Sequence, residues 1–321
     1  MSSPGLAELV TMTLRNRSGK LSDNFTHNTA LLTKLRDGKM VREVSGGRSI
    51  VEELTYAANG TVKRYSGYEP LNISPQDVFT AAEYGLKQLA VSVTISGLEE
   101  LQNSGKEQII DLLDSRISNA EESLLMTLSG DIYSDGTADG GKQVGGLQLL
   151  VSDTGQGTVG NIDSGTWSFW RNYVYSFATN SVTPGSTTIQ SAMNQTWLNT
   201  QRNRDQVDLI IADNVYYRYY WESLQAIQRI TTESQAAAGF KSLDFMGVPV
   251  VCDGGLNGDA PGSHMYFLNT RFLSYRPHKK RNMVPLNPDR YATNSDAMVK
   301  LIGWAGNMTA RNRRLQGVIV N

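Results

Sequence analysis

The spacing of apolar positions changes several times along the chain and predicts a mixed α+β fold. The clearest pattern lies in residues 104–129, where apolar residues recur at steps of three or four, as on one face of an amphipathic helix: Ile109, Leu113, Ile117, Ala120, Leu124 and Leu128. Ser104 and Glu107 have the spacing of a capping box, and Gly130 is typical of a helix end. A helix of about 25 residues is roughly 37 Å long, which suits a spine that links two parts of a molecule.

Residues 48–68 predict an extended β-hairpin. Its arms are RSIVEELTYA and TVKRYSGY, and Asn59 and Gly60 between them are typical of a tight turn with positive φ. The ordinary arrangement would be a hairpin packed on its own core. The arms have little apolar bulk and many charges, however, and a lone two-stranded ribbon is only marginally stable. We therefore expect the ribbon to contact a neighbouring copy through Arg48, Glu52, Glu53, Asn59, Gly60, Lys63, Arg64, Tyr65 and Tyr68.

From residue 186 onward the pattern alternates between helix and strand. A helix is predicted at 186–203 and a short buried strand at 207–212, VDLIIA. Asp213 is a good N-cap for a second helix at 214–230. The first helix would direct inward Ile189, Met193 and Trp197, and the second Tyr217, Tyr220, Trp221, Leu224 and Ile227. The other predicted elements are short helices within 5–36 and strands at 78–96, 245–253, 265–275, 297–306 and 307–319.

Composition favours a globular subunit without disulfides. Of 321 residues, 40% are apolar and 19% are charged, so a substantial core can form. Cys252 is the only cysteine, which excludes an internal disulfide and fits a reducing compartment. The first residues do not resemble a signal peptide, and no apolar run reaches the roughly 18 residues that a membrane span needs. We expect a protein made and used inside a cell, without membrane contact.

Charges are distributed unevenly, although the net charge is only −1. Residues 1–50 hold 8 basic and 4 acidic side chains, residues 271–321 hold 10 and 2, and residues 51–135 hold 5 and 14. The ordinary interpretation is compensation within one folded unit. The alternative is that basic ends of one copy meet acidic segments of another. A net charge near zero argues against a dedicated nucleic-acid-binding protein.

The sequence does not indicate a catalytic, cofactor or metal site. His27, His264 and His278 lie far apart without ligand spacing, so surface or loop positions are expected for them. Residues 136–142 match G-x-x-x-x-G-K, but Gln143 stands where a magnesium-binding Ser or Thr is needed. A helix is expected before this segment and none after it, which also disfavours a phosphate site.

Two basic clusters and one acidic loop each allow two interpretations. The run at 278–281 and the cluster Arg311, Arg313 and Arg314 could contact DNA phosphates, although such clusters are more often solvated or paired with acids. The segment DGGLNGD at 253–259 lacks the ligand spacing of a calcium loop, so a turn is the better interpretation.

Taken in order, these parts resemble the major capsid protein family of tailed bacteriophages, whose fold is shared with the herpesvirus shell floor. The resemblance rests on the hairpin, the long helix, the Gly-Gly-Leu segment at 145–147 and the Gly-Val-Pro-Val strand at 247–250. It implies an N-terminal arm at 1–45, an extended hairpin loop at 46–75, a peripheral domain at 76–207 with the spine helix, an axial domain at 208–272, and C-terminal strands at 273–321 that return to the peripheral domain.

The resemblance implies a structural subunit and no enzyme or cofactor. Such subunits form the pentamers and hexamers of an icosahedral shell, which encloses double-stranded DNA through non-specific contacts. Scaffolding, portal and decoration proteins are further expected partners, and the expected location is the virion capsid, after synthesis in the bacterial cytoplasm. Some family members cross-link a hairpin lysine to a neighbour's asparagine, but no partner is identifiable for Lys63. The alternatives are an encapsulin-like compartment with enzyme cargo and a nucleotide-binding enzyme using residues 136–142.

Overall fold

The computed structural model describes residues 29–96, 106–225, 243–254, 259–291 and 297–321, and it has the α+β fold that the sequence predicts. The helices are α1 (Ala30–Asp37), α2 (Lys106–Tyr133), α3 (Ala138–Gly141), α4 (Leu147–Leu150), α5 (Ile189–Thr200) and α6 (Asn214–Gln225). The first seven strands are β1 (Ser49–Thr55), β2 (Phe79–Gly85), β3 (Lys87–Ser96), β4 (Thr158–Val159), β5 (Ile162–Asp163), β6 (Tyr173–Ser176) and β7 (Leu209–Ala212). The rest are β8 (Leu243–Phe245), β9 (Val248–Cys252), β10 (His264–Leu268), β11 (Leu273–Pro277), β12 (Val284–Tyr291), β13 (Ala297–Ala310) and β14 (Gly317–Val320).

The long helix predicted at 104–129 is confirmed as α2, which packs against β3. Its apolar stripe is buried at Ile117, Ala120, Leu124 and Leu128. Gly130 does not end the helix as predicted. The helix continues because Ile132 and Tyr133 extend the buried stripe, and this burial outweighs the roughly 1 kcal/mol cost of a helical glycine. The proposed capping residue Ser104 and the side chain of Glu107 lie outside the described residues.

A four-stranded antiparallel sheet is built around β13. This strand pairs along 297–306 with β3, and it also pairs with β11 and β12. The sequence predicted separate strands at 297–306 and 307–319. The structure instead has one strand of 14 residues, followed by a short break and β14. The continuous strand forms because both of its edges find partners.

A six-stranded mixed sheet has the strand order β6-β14-β10-β7-β9-β8. All four residues of β7 are buried, which confirms the predicted buried strand. Helices α5 and α6 pack against this sheet, and Ile189, Met193 and Trp197 of α5 are buried as predicted. Because β6 and β14 belong to it, the sheet extends beyond the predicted axial domain at 208–272, and the last strand joins this sheet rather than the one around β13.

The start of α6 agrees with the prediction, and so does part of its inward face, because Tyr220 is buried and Tyr217 and Leu224 pack against the core. Asp213 Oδ1 accepts a hydrogen bond from the Tyr216 amide at 2.9 Å, which confirms the N-cap. Tyr216 and Tyr220 are buried, whereas Trp221 is 51% exposed. The face is thus centred on Tyr216 and Tyr220, and the prediction is wrong for Trp221. Ile227 lies outside the described part of the chain.

Three predicted strands are each divided in the structure. Residues 78–96 form β2 and β3, which belong to different sheets. Residues 245–253 contain a hairpin turn, because Met246 and Gly247 have φ of 52° and 79° and return β8 onto β9. Residues 265–275 are interrupted by a 3₁₀ turn at Thr270–Phe272, which sends β10 and β11 into different sheets.

Within the described ranges, no helix combines the length and apolar character that crossing a bilayer would require.

Candidate intersubunit surface

The predicted hairpin exists as a ribbon, but its second arm differs from the prediction. β1 pairs antiparallel with β2, from Ser49 opposite Gly85 to Thr55 opposite Phe79. The segment 56–78 between them, here called the finger, therefore includes the residues predicted as the second arm. Asn59 does not enter a tight hairpin turn, because its side chain accepts from the amide and hydroxyl of Thr61 at 2.9 and 2.7 Å and closes a local turn.

The base of the ribbon is packed on its own subunit. Ile50 and Leu54 of β1 and Ala82 and Tyr84 of β2 are buried. The Tyr84 hydroxyl donates to the Ala310 carbonyl at 3.0 Å. Burial raises the pKa of Tyr84 well above its usual range, so the phenol stays protonated and able to donate. β1 and β2 are therefore packed on the core of their own chain, and the finger extends from them.

Glu52 lies at the centre of this packing, although it was expected at the contact with a neighbouring copy. It is 3% exposed. Its Oε1 accepts from Arg276 Nη2 at 2.8 Å and Thr309 Oγ1 at 2.9 Å, and its Oε2 accepts from Arg311 Nε at 2.8 Å. A buried carboxylate needs such charged donors. This position corrects the assignment of Glu52 to the exposed face of the ribbon.

The finger carries large apolar side chains that the described part of the chain leaves exposed. Val62 is 86% exposed, Ile73 93%, and Tyr65 and Tyr68 are also exposed. Contiguous exposed apolar surface is typical of an interaction site. Lys63 pairs with Glu69 at 3.1 Å, but both side chains are about half exposed, so this ion pair contributes little to stability. The other predicted contact residues are also exposed: Arg48, Glu53, Asn59, Gly60 and Arg64.

An aromatic cleft of about 470 Å³ lies where the finger joins the ribbon. Its walls include Tyr56, Phe79, Trp167 and Phe169, and its rim includes Asp77 and Asp163. The Tyr56 ring lies 5.8 Å from Trp167 and 5.6 Å from Phe169, centroid to centroid. The sequence gives no sign that Tyr56 and Trp167 would meet, because the two are about 110 residues apart.

The loop that carries Trp167 is fixed by Asp163. The Asp163 carboxylate accepts from the Gly165 amide at 2.9 Å and the Thr166 hydroxyl at 2.7 Å. These hydrogen bonds, led by that of Thr166, hold the pKa of Asp163 below its usual value, so its charge persists to lower pH. The rim of the cleft therefore carries a stable negative charge.

The C-terminal arginine cluster is mostly structural. Arg311 pairs with Glu52, and Arg313 is fully buried, with donors to the carbonyls of Leu150 and Trp170 at 2.7 and 3.1 Å. Burial lowers the pKa of Arg313 to about 10, and neutral acceptors surround its guanidinium. Arg314 is exposed, as are three residues of the other basic run: Lys279, Lys280 and Arg281.

The residues of the apparent nucleotide motif form a structural turn. Gly141 accepts a hydrogen bond from Lys87 Nζ through its carbonyl, and Lys142 is exposed. A short helix, α4, does follow the motif, contrary to expectation, but it spans four residues and begins at Leu147. Gln143 is bound to Asp131, with Nε2 to Oδ1 at 2.7 Å. These contacts leave the motif without the arrangement of a phosphate loop.

The histidines and acidic groups do not assemble a metal site in the described part of the chain. No group of three or more His, Cys, Asp or Glu there could hold an ion. His264 is mostly buried and lies 3.0 Å from Asp153, Nε2 to Oδ2, so it is not the surface residue that was expected. His27 and residues 255–258 of the acidic loop lie outside the described residues.

Solved structures share this arrangement over most of the chain. The cyanophage A-1(L) capsid asymmetric unit matches with a TM-score of 0.66 and 16% identity, over 88% of this chain and 90% of that chain. Mycobacterium phage Bobi matches with a TM-score of 0.54 and 11% identity, over 88% of each chain. The virus-like particle from Pyrococcus furiosus matches with 0.51 and 10%, over 97% of this chain and 98% of that chain. No family profile and no curated protein sequence matches. The chain thus has the tailed-phage major capsid fold that the resemblance implied.

Proposed function

We propose that this chain is a structural subunit of an icosahedral viral capsid. The observation that carries the proposal is the similarity to the cyanophage capsid subunit over 88% of this chain, with a TM-score of 0.66. The exposed finger supports it independently, because the described part of one subunit leaves Val62, Tyr68 and Ile73 exposed, and an assembly would cover them.

The mechanism is geometric. A finger that reaches a neighbour makes a head-to-tail contact, and such contacts close into rings when the rotation between neighbours permits. In pentamers and hexamers, the same contact between neighbours would close rings of five and of six copies. Each interface can be modest, roughly 800 Å² per partner, because closure makes every contact depend on the others.

The proposed content is double-stranded DNA, contacted without sequence specificity. Exposed basic residues suited to phosphate contact are Lys279, Lys280, Arg281 and Arg314. Scaffolding, portal and decoration proteins are the further partners of such a shell, and the virion capsid is the proposed location, following synthesis in the host cytoplasm. The role requires no cofactor and no catalysis.

The test is the assembly state of the purified chain. Analytical ultracentrifugation and electron microscopy, with and without a co-expressed scaffold, should show rings or closed shells of uniform size. A chain that stays monomeric under both conditions at high concentration would contradict the proposal. Lys142→Ala tests the nucleotide-binding alternative and should leave assembly unchanged. Nucleotide binding or turnover by the unmodified chain would favour the enzyme alternative.

A second candidate is a compartment that encloses protein cargo. It is favoured by the match to the virus-like particle from Pyrococcus furiosus, which covers 97% of this chain. The two candidates differ in their content. Shells with an ultraviolet absorbance ratio and extractable nucleic acid typical of packaged DNA support the viral capsid, whereas nucleic-acid-free shells with a stoichiometric protein guest support the compartment.

A further inference from the structure

We propose that the aromatic cleft is the seat for the finger tip of a second copy, residues 62–65, with Arg64 as the inserted cation. The inference rests on the proposed function and gives it a specific contact. The tip of one copy would dock at the base of the next copy's finger.

The cleft has the chemistry of a site for a cationic side chain. Trp167 is 49% exposed and Phe79 72% exposed, so aromatic surface is available there. Asp77 and Asp163 add negative charge, and none of the ten residues that line the cleft is Lys or Arg. A guanidinium stacked on an aromatic ring beside a carboxylate gains both a cation–π contact and an ion pair.

The finger tip has the complementary chemistry. Lys63 is already paired with Glu69, whereas Arg64 is exposed and makes no ion pair with any described residue. Val62 and Tyr65 on either side are also exposed. Insertion of this segment would bury apolar surface and would place the Arg64 guanidinium beside Asp77, which makes no ion pair with the described residues.

The described part of the same chain leaves the cleft open. The Tyr56 amide donates to the Val78 carbonyl at 3.1 Å, and the Tyr56 hydroxyl donates to the Asp77 carbonyl at 2.8 Å, which closes the base of the finger. The cleft thus lies at the base of the finger, whereas residues 62–65 lie close to its turn at Gly67, where Lys63 pairs with Glu69. Both segments have exposed side chains. A tip that enters the next copy's cleft gives the head-to-tail contact that closes into rings.

A charge exchange tests the contact. Arg64→Glu and Asp77→Arg should each raise the concentration needed for assembly by about tenfold, since each places like charges together. The Asp77 side chain makes no hydrogen bond with the described residues, so the monomer's melting temperature should not change. The double variant should recover most of the loss. Arg204→Glu, an exposed charge outside the ribbon and the finger, is the matched control and should assemble normally.

Cross-linking locates the contact directly. In a Cys252→Ser background, Arg64→Cys combined with Ala81→Cys in the cleft should give a ladder of disulfide-linked oligomers on mild oxidation, and neither cysteine alone should do so. Shells that form normally without this ladder, and with Arg64→Glu fully competent, would overturn the inference and leave the proposed function intact. A chain that never assembles would overturn both.

Discussion

Arg276 and Glu52 lie 224 positions apart in the chain, yet Nη2 of the first and Oε1 of the second are 2.8 Å apart. Arg311 completes the arrangement on the other carboxylate oxygen. Through this cluster β1 is fixed across β11 and the end of β13, and the direction in which the finger leaves the subunit is fixed with it. A constant direction of the finger is needed if it is to contact the same position on every neighbouring copy.

Glu52→Ala should therefore destabilise the subunit by about 3 kcal/mol, because two partly buried arginines lose their counter-charge. Chemical denaturation of the monomer measures this loss. Glu53→Ala is the matched control, since Glu53 is the next residue and is exposed, and its effect should stay within about 0.5 kcal/mol. Equal effects for the two variants would show that the cluster does not stabilise the fold.

Features that depend on local sequence could be predicted. The α2 stripe, the buried β7 and the Asp213 cap are encoded within a few residues, and each is confirmed. The second hydrogen bond of Asp213, in which Oδ2 accepts from the Ser263 amide at 2.7 Å, joins residues 50 positions apart and has no local signal.

The ribbon shows most clearly where prediction from local sequence fails. Asn59 and Gly60 have the local preferences of a hairpin turn, but β1 pairs with a strand that begins at Phe79. Burial of Ala82 and Tyr84 on the core decides this pairing, and it outweighs the turn preference. Glu52 was assigned to the exposed surface for the same reason, because its partners at 276 and 311 are distant in sequence.

Gly146 is required by close packing against α2. A Cβ at this position would lie 2.3 Å from the Ile132 carbonyl oxygen and 2.4 Å from that of Asp131. Because backbone atoms cannot yield cheaply, Gly146→Ala should destabilise the fold by about 3 kcal/mol or prevent folding. Gly185→Ala is the control, since nothing lies within 4 Å of its Cβ position. Thermal unfolding of both variants measures the difference, and an unchanged melting temperature for Gly146→Ala would contradict the packing.

Arg313 connects the C-terminal segment to the loops at 150–172. Its guanidinium donates to carbonyl oxygens of Leu150 and Trp170 and to the Asn172 side chain, the last at 3.0 Å. Lysine offers three donors without this planar geometry, so Arg313→Lys should cost about 2 kcal/mol in unfolding free energy. Arg314→Lys, at the exposed neighbouring position, should be neutral. A neutral result at both positions would contradict a structural role for Arg313.

The ion pair of His264 predicts a dependence of stability on pH. Burial lowers the pKa of His264, but the Asp153 carboxylate and the Gly262 carbonyl outweigh burial, and the net pKa is raised above 6.5. The folded state then binds the proton more tightly than the unfolded state. The resulting stabilisation is fully present below pH 6.5 and is lost as the pH rises through the folded-state pKa.

Asp153→Asn should reduce this loss of stability as the pH rises above 6.5, and the effect should be small because Asp153 is 42% exposed. Asp139→Asn, at an exposed acid far from any histidine contact, should keep the wild-type pH profile. Denaturation at several pH values measures both slopes. A steeper slope for Asp153→Asn than for the unmodified chain would contradict the proposed ion pair.

Replacing Tyr68 should weaken assembly without changing the stability of the subunit. The side chain is fully exposed, with a relative exposure of 106%, so it contributes no burial to the lone subunit. Tyr68→Ser should leave the unfolding free energy within about 0.5 kcal/mol of the unmodified value. If a neighbour covers this ring, the loss of its burial should weaken each contact by roughly 1.5 kcal/mol or more and raise the assembly concentration at least tenfold. Sedimentation velocity across a concentration series measures the shift, with Ala58→Ser as an exposed control on the same finger. Normal assembly of Tyr68→Ser would mean that this part of the finger stays exposed to solvent in the shell.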